Sequence, residues 1–380
     1  MIGFMMKRNQ NIIVKTPQLI FASLLLVAGC ASMPSHNGAN FYVKKDCGTL
    51  ANCFNNIQSA LDAATKEAPD KWVNIDVGEG DYYEKIVISR DKLKLHGQGS
   101  AKTRLYYDAF AQTAGVYHRN KWGTPGSATL MINAKDVDVS GIKIENTYDF
   151  LANDALADGD AKKVSNSQAV ALLLDVDSDR VKIENSSIEG YQDTLFANGK
   201  RVYIKNSKIS GNVDFIFGNG SVLIEDSIIE SRKRAASFKE GEYQSFITAP
   251  STQISQELGI IIYRSKIVRE DGVPDNSVAL GRPWHPTTKF DDGRYADPNA
   301  VGQASFIDCY MDAHINPEHW TFMNGTARDG SKTAIFTAQS SRFSEINSYG
   351  PGARHIDIGI KWRGNTNIGE IRTMFFKDWK

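Results

Sequence analysis

Neither sign of charge is in excess in this chain: Lys plus Arg and Asp plus Glu each number 44. That balance gives no support to a general binder of nucleic acid or of anionic membrane surfaces. Cysteine is scarce, with four in all. There is no CxxC pair and no clustered set of histidines, so no metal site is indicated. The chain also lacks any G-x-S-x-G segment, which disfavours hydrolysis by a serine on a nucleophile elbow. What is present is a globular composition, 41% hydrophobic and 23% charged, which excludes a disordered chain. The length of 380 residues allows one large domain or two ordinary ones, and length alone does not choose.

The first thirty residues have the layout of a secretory signal. Lys7, Arg8 and Lys15 form a basic leader, and Leu19 to Gly29 is an apolar run of eleven residues. Such a run is too short to span a bilayer as a mature helix. It ends in Val27-Ala28-Gly29-Cys30, which resembles the lipobox of bacterial lipoproteins, where the cysteine is lipidated and becomes the mature N-terminus. The bland alternative is a plain signal peptide with an incidental cysteine. Ala31 is not the aspartate that commonly retains such proteins at the inner membrane, so the resemblance implies an outer-membrane lipoprotein anchored at Cys30. Residues 31–40, small and polar, then read as a tether to a folded domain over 41–380. Of the exported cysteines, Cys47 and Cys53 are close enough in sequence to pair in an oxidising compartment, and Cys309 is left over.

Phe54, Ile57 and Leu61 recur at helical spacing and predict a short amphipathic helix that stops before Pro69. Beyond it, β-branched runs take over and repeat. An apolar residue is followed by another two positions on and a third seven positions on. Val137, Val139 and Ile144 fit, as do the sets starting at Val181, Val202, Val222 and Ile260. The starts are 44, 21, 20 and 38 residues apart, the wide gaps being close to two short ones. A repeat near 21 residues with strand-like alternation predicts an all-β solenoid, a right-handed parallel β-helix of stacked coils. The helix near Phe54 is expected to cap its open N-terminal end. Asn185, Asn206 and Asp226, each four positions after a start, would form a side-chain ladder; the alternative is three unrelated turn residues.

Two acids sit on this repeat. Asp193 lies twelve residues after Val181, and Asp214 lies twelve after Val202. They should therefore stack on successive coils at roughly the 4.7–4.9 Å strand spacing. Like charges that close raise one pKa and lower the other, which lets one group act as acid and the other as nucleophile or base. An ordinary turn aspartate is the competing reading of Asp214, but the segment Val213-Asp214-Phe215-Ile216-Phe217 surrounds it with bulky apolar residues.

The segments Gln168-Ala169-Val170-Ala171-Leu172, GYQDTLF, GNVDFIFG and Leu280-Gly281-Arg282-Pro283-Trp284, in this order and spacing, resemble the hallmark motifs of pectin methylesterases. The likeness covers Phe41 to beyond Tyr349, and RPWHPTTKFDDGRYADPNA looks especially like bacterial members. The resemblance implies hydrolysis of the C6 methyl esters of galacturonan, with methanol as product. It casts Asp214 as nucleophile and Asp193 as acid, then base. Gln192 would donate to the oxyanion, helped by Gln168; such donors are worth ~3–4 kcal/mol each in a transition state. Arg282 would keep Asp214 ionised. Trp284 would be a sugar platform, against the alternative of a core tryptophan. Thr124, Val213, Phe217, Thr287 and Met323 are further groove candidates, and His285 is read as structural. The partner expected is methyl-esterified pectin or an oligogalacturonide, with no cofactor and no metal, the protein acting as a monomer.

Bacterial relatives often carry Tyr where this chain has Phe196 and Leu173, so the preferred pectin pattern is in question rather than the chemistry. Three rivals stand beside this reading. One is a lyase or glycosidase on the same solenoid. Another is an envelope-anchored esterase or thioesterase for a non-pectin ester. The third is a non-catalytic carbohydrate-binding solenoid.

Overall fold

A computed structural model of the chain describes residues 39–354 and 363–379. The expected signal segment with Cys30, and most of the expected tether, lie outside the described residues.

Why the repeat becomes a coil is visible in one turn of chain. Asp179–Glu184 alternates buried and half-exposed residues, the two-residue period of a strand with one face inward. Asn185 then adopts φ 51°, a left-handed conformation that asparagine tolerates, and the chain turns a corner. Ser187–Glu189 and Leu195–Ala197 follow as two more strands before the next coil begins at Arg201. Repetition builds three parallel sheets of eleven, eight and seven strands among the described residues. Parallel crossovers of this kind are right-handed in nearly all cases, and the fold is a right-handed parallel β-helix.

The predicted register is the observed one. Val137, Val181, Val202, Val222 and Ile260 pair rung to rung in the eleven-stranded sheet. Ile144, Ile188, Ile209, Ile229 and Ile267 do the same in the eight-stranded sheet. All ten are essentially without solvent contact and lie in one continuous core. Full burial of such a side chain stabilises the fold by roughly 1.5–3 kcal/mol.

Two expectations need correction. The wide gaps are not two short coils. Val137 pairs directly with Val181, and Val222 directly with Ile260, so each gap is a single coil carrying an insertion. The insertions leave after Lys143–Asn146 and after Ile228–Ser231, at the side of the seven-stranded sheet. The interlocking ladder is also one residue later than expected. Ser186, Ser207, Ser227 and Ser265 form it: the hydroxyls of Ser207, Ser227 and Ser265 each accept from the backbone N–H of the serine one rung before, at 3.1–3.2 Å. Asn185, Asn206 and Asp226 are the left-handed corner residues, at φ 51°, 49° and 51°.

The capping helix is present as Ile57–Glu67, with Ile57, Ala60, Leu61 and Ala64 turned onto the core. Asn56 Oδ1 accepts from Ser59 N at 2.8 Å, and Glu84 accepts from the N–H groups of Ile57 and Gln58. At the other end Arg90 donates to the carbonyls of Ala64, Ala68 and Lys71. A carboxylate at the N-terminus and a guanidinium at the C-terminus both complement the helix dipole. Cys47 and Cys53 are joined in a disulfide, and Cys309 is free and buried. A C-terminal helix that the repeat did not predict, Ile368–Phe375, packs Ile371 and Phe375 on the outer face of the eleven-stranded sheet, against Tyr203, Leu223 and Ile261.

Candidate active site

The site lies on the outer face of the seven-stranded sheet, where Leu195–Ala197, Val213–Gly218 and Ser245–Pro250 are successive rungs. Leu195 pairs with Ile216 and Phe196 with Phe217, so Asp193 and Asp214 hold equivalent places on neighbouring coils. Asp193 N donates to Val213 O at 3.0 Å, which ties the two turns together. Both aspartates have positive φ, 64° and 51°. The strand carrying Asp214 has a register irregularity between Val213 and Ile216. Its extra residue turns both Phe215 and Ile216 into the core, and leaves Asp214 and Phe217 facing out together. Gly211 makes the preceding corner possible. A Cβ there would sit 2.3 Å from Phe215 Cβ and 2.6 Å from Tyr191 O.

Arg282 follows the strand Val278–Gly281, and its N–H donates to Thr248 O at 3.0 Å. Its guanidinium carbon lies over Phe246, 3.7 Å from the ring centre. Nε donates to Asp214 Oδ1 at 2.8 Å and Nη2 to Oδ2 at 2.7 Å. This is a two-point, charge-assisted pairing. Asp193 is 8% exposed. Burial, with the nearby charge of Asp214, pushes its pKa well above the ordinary carboxylate range, while Arg282 opposes the shift. The pair is therefore chemically unequal, one carboxylate held by a cation and the other inclined to keep its proton.

Gln192 and Gln168 both line the same open groove, whose volume is ≈1030 Å³. Ser167 Oγ donates to Gln192 Oε1 at 3.0 Å. Of the other sequence candidates, Thr124, Phe217, Trp284, Thr287 and Met323 also line the groove. Trp284 is half-buried, its ring 5.6 Å from that of Phe217. Val213 is not among the lining residues; it precedes Asp214, half-buried, and serves the backbone tie to Asp193. His285 is structural as expected, with Nδ1 2.6 Å from Asp297 O and its ring stacked on Phe336.

Sequence reasoning missed Trp122, Asn166, Arg294 and Lys332, which also line the groove. Trp122 stands edge-on to Phe196 at 5.6 Å. Its signal was an exposable aromatic two residues before the candidate Thr124. Leu173 and Phe196 lie under the groove in a row across the rungs, Met131, Leu173, Phe196, Phe217 and Ala249. That row is an apolar cluster with Trp284 and Met323 packed against it.

The fold and acid pair, taken with the family match, are those of a carboxylic ester hydrolase built on a parallel β-helix. The pectinesterase family model matches residues 43–376, and the chain belongs to that family. It is 40% identical over 334 residues to pectinesterase A of Dickeya dadantii, covering 87% of this chain and 88% of that one. Among solved structures, a pectin methylesterase from Erwinia chrysanthemi superposes with TM-score 0.81 at 38% identity, over 91% of this chain and 99% of that chain. One from Yersinia enterocolitica gives 0.76 at 40% identity, over 86% and 99%. A further similar structure is of a pectin methylesterase in complex with a hexasaccharide, with TM-score 0.81 and 38% identity over 91% and 99%.

Proposed function

We propose that the chain demethylates esterified galacturonan through a covalent acyl-enzyme on Asp214. One observation carries this most directly: a carboxylate held at both oxygens by Arg282, one rung from a buried carboxyl with a raised pKa. Asp214 attacks the C6 carbonyl carbon of the ester. The oxyanion that forms takes hydrogen bonds from the amide of Gln192, with Gln168 beside it. As the tetrahedral centre collapses, the C–OCH₃ bond breaks and Asp193 gives its proton to the departing oxygen, so that methanol leaves. Asp193, now a carboxylate, takes a proton from water. The resulting hydroxide attacks the acyl carbon, releasing galacturonate and restoring both aspartates. Arg294 and Lys332 on the groove rim suit the carboxylates of a partly demethylated chain.

The test is methanol release from methylated oligogalacturonide by the wild type and Asp214→Ala. Wild type should release methanol without shortening the chain, and the variant should be at least a thousandfold slower. Equal rates would overturn the mechanism, and chain shortening would point to a lyase or glycosidase. A second reading, a non-pectin ester as substrate, draws on the wholly apolar row containing Leu173 and Phe196. Faster turnover of small esters or thioesters than of methylated oligogalacturonide would favour it.

A further inference from the structure

The oxyanion role asked of Gln192 raises a problem of orientation. A carboxamide is nearly symmetric in shape but opposite in polarity at its two ends. Turned one way it offers N–H to a developing oxyanion; turned the other way it offers a repelling oxygen. Nothing in Gln192 itself chooses.

The choice is made by a neighbour outside the four sequence motifs. Residues 166–168 run alongside 111–112, with Gln112 N donating to Asn166 O at 3.1 Å and Ala111 N to Gln168 O at 2.8 Å. Asn166 and Gln168 line the groove, and Ser167 between them meets Gln192. Its hydroxyl donates to Gln192 Oε1 at 3.0 Å. Ala169 N also donates to Gln192 O at 3.2 Å, so side chain and main chain of Gln192 are held by one short segment. With Oε1 occupied, the amide nitrogen is the end left for the groove.

A hydroxyl can accept as well as donate, so the reverse pairing deserves weighing. Ser167 is 8% exposed, and among the described residues its hydroxyl proton has no acceptor other than Gln192 Oε1. Flipping the amide would strand that proton in a largely buried place, and an unmade hydrogen bond there is costly.

We propose that Ser167 is a positioning residue that orients the Gln192 carboxamide so that its N–H₂ faces the developing oxyanion. The proposal rests on the esterase mechanism above and extends it to a residue that never touches substrate. Its loss should lower kcat and leave ground-state binding alone, because the oxyanion exists only in the transition state.

A double-mutant cycle on full-length protein tests this, with methanol release from methylated oligogalacturonide as the readout and thermal unfolding as the folding control. Ser167→Ala should reduce kcat about tenfold with KM within about twofold. Ser167→Thr, which keeps the hydroxyl, should restore most of kcat. In a Gln192→Ala background, Ser167→Ala should cost less than about twofold more. If Ser167→Ala fails to fold, Ser167→Cys keeps the volume with a weaker donor and carries the same comparison. An unchanged kcat, a loss confined to KM, or a full-sized loss in the Gln192→Ala background would overturn the proposal. Asp214→Ala is run alongside. If it is inactive while Ser167→Ala is normal, only the positioning role fails. If it matches the wild type, the mechanism itself fails and this inference goes with it.

Discussion

Asp193→Asn should make the protein more stable at neutral pH while abolishing turnover. Asparagine has nearly the same shape, and it tolerates positive φ as aspartate does, so φ 64° at this position introduces no new strain. What changes is charge. Two carboxylates one strand spacing apart, at ~4.8 Å and an effective dielectric near 20, repel by about 3 kcal/mol. Arg282 offsets part of this, and desolvation of Asp193 adds to it. A gain of ~1–3 kcal/mol at pH 7 is the expectation. The sign follows from proton linkage. Asp193 has a raised pKa in the folded state, so the native protein holds this proton more tightly than the unfolded chain. Wild-type stability from this group is therefore full below about pH 4 and declines as pH rises through the folded pKa. The variant lacks that decline. Urea unfolding at a series of pH values should show the two curves together in acid and separating above about pH 4. The same proton is the one given to methanol, so wild-type turnover should also fall as pH rises through that pKa. A stability gain independent of pH, or no gain at pH 7, would refute the picture of a protonated Asp193.

Arg282→Lys should lower kcat/KM by about a hundredfold, because an ammonium cannot reproduce the two-point contact with Asp214 or the stacking on Phe246; steady-state methanol release checks it. Gly211→Ala should destabilise the fold by about 2 kcal/mol and depress activity, since the new methyl meets Phe215 and Tyr191 O and displaces the turn into Asp214; thermal unfolding and kcat are the readouts. Cys30→Ser should abolish palmitate labelling of the protein in its host and release it from the membrane fraction, whereas a plain signal peptide predicts no labelling in either form.

The coil register was legible in the sequence because inward positions of a parallel β-helix accept little but Val, Ile and Leu. That constraint placed Asp193 and Asp214 on adjacent rungs before any motif was considered. Coil length was not legible. An insertion such as 147–169 adds about as many residues as a coil, and periodicity cannot tell one from the other. The serine ladder was missed by one place because corner asparagines and the serines after them recur at the same spacing. Only backbone geometry separates the residue that turns from the residue that bonds. The helix Ile368–Phe375 had a faint signal in the outward-facing Tyr203, Leu223 and Ile261, apolar where a solvated sheet face would be polar. Lys332 was beyond reach because it arrives at the groove from a long connection, whose path a repeat does not dictate, and Trp122 was marked only by its nearness to Thr124.

The left-handed backbone at Asp193 and Asp214 also limits which side chains the chemistry can use. Glutamate or serine in that conformation would be strained, whereas Asp, Asn and Gly fit at little cost. Corners of the same kind occur at Asn185 and Asn206, elsewhere on the two coils that carry the pair, and at Asp226 on the next coil. The scaffold thus keeps a stock of short polar side chains at fixed intervals for purely architectural reasons. An acid dyad needs only two such corners on adjacent rungs that face one groove and a cation to hold one of them. New dyads should be installable on other faces of the solenoid by corner substitutions, without altering a single inward residue.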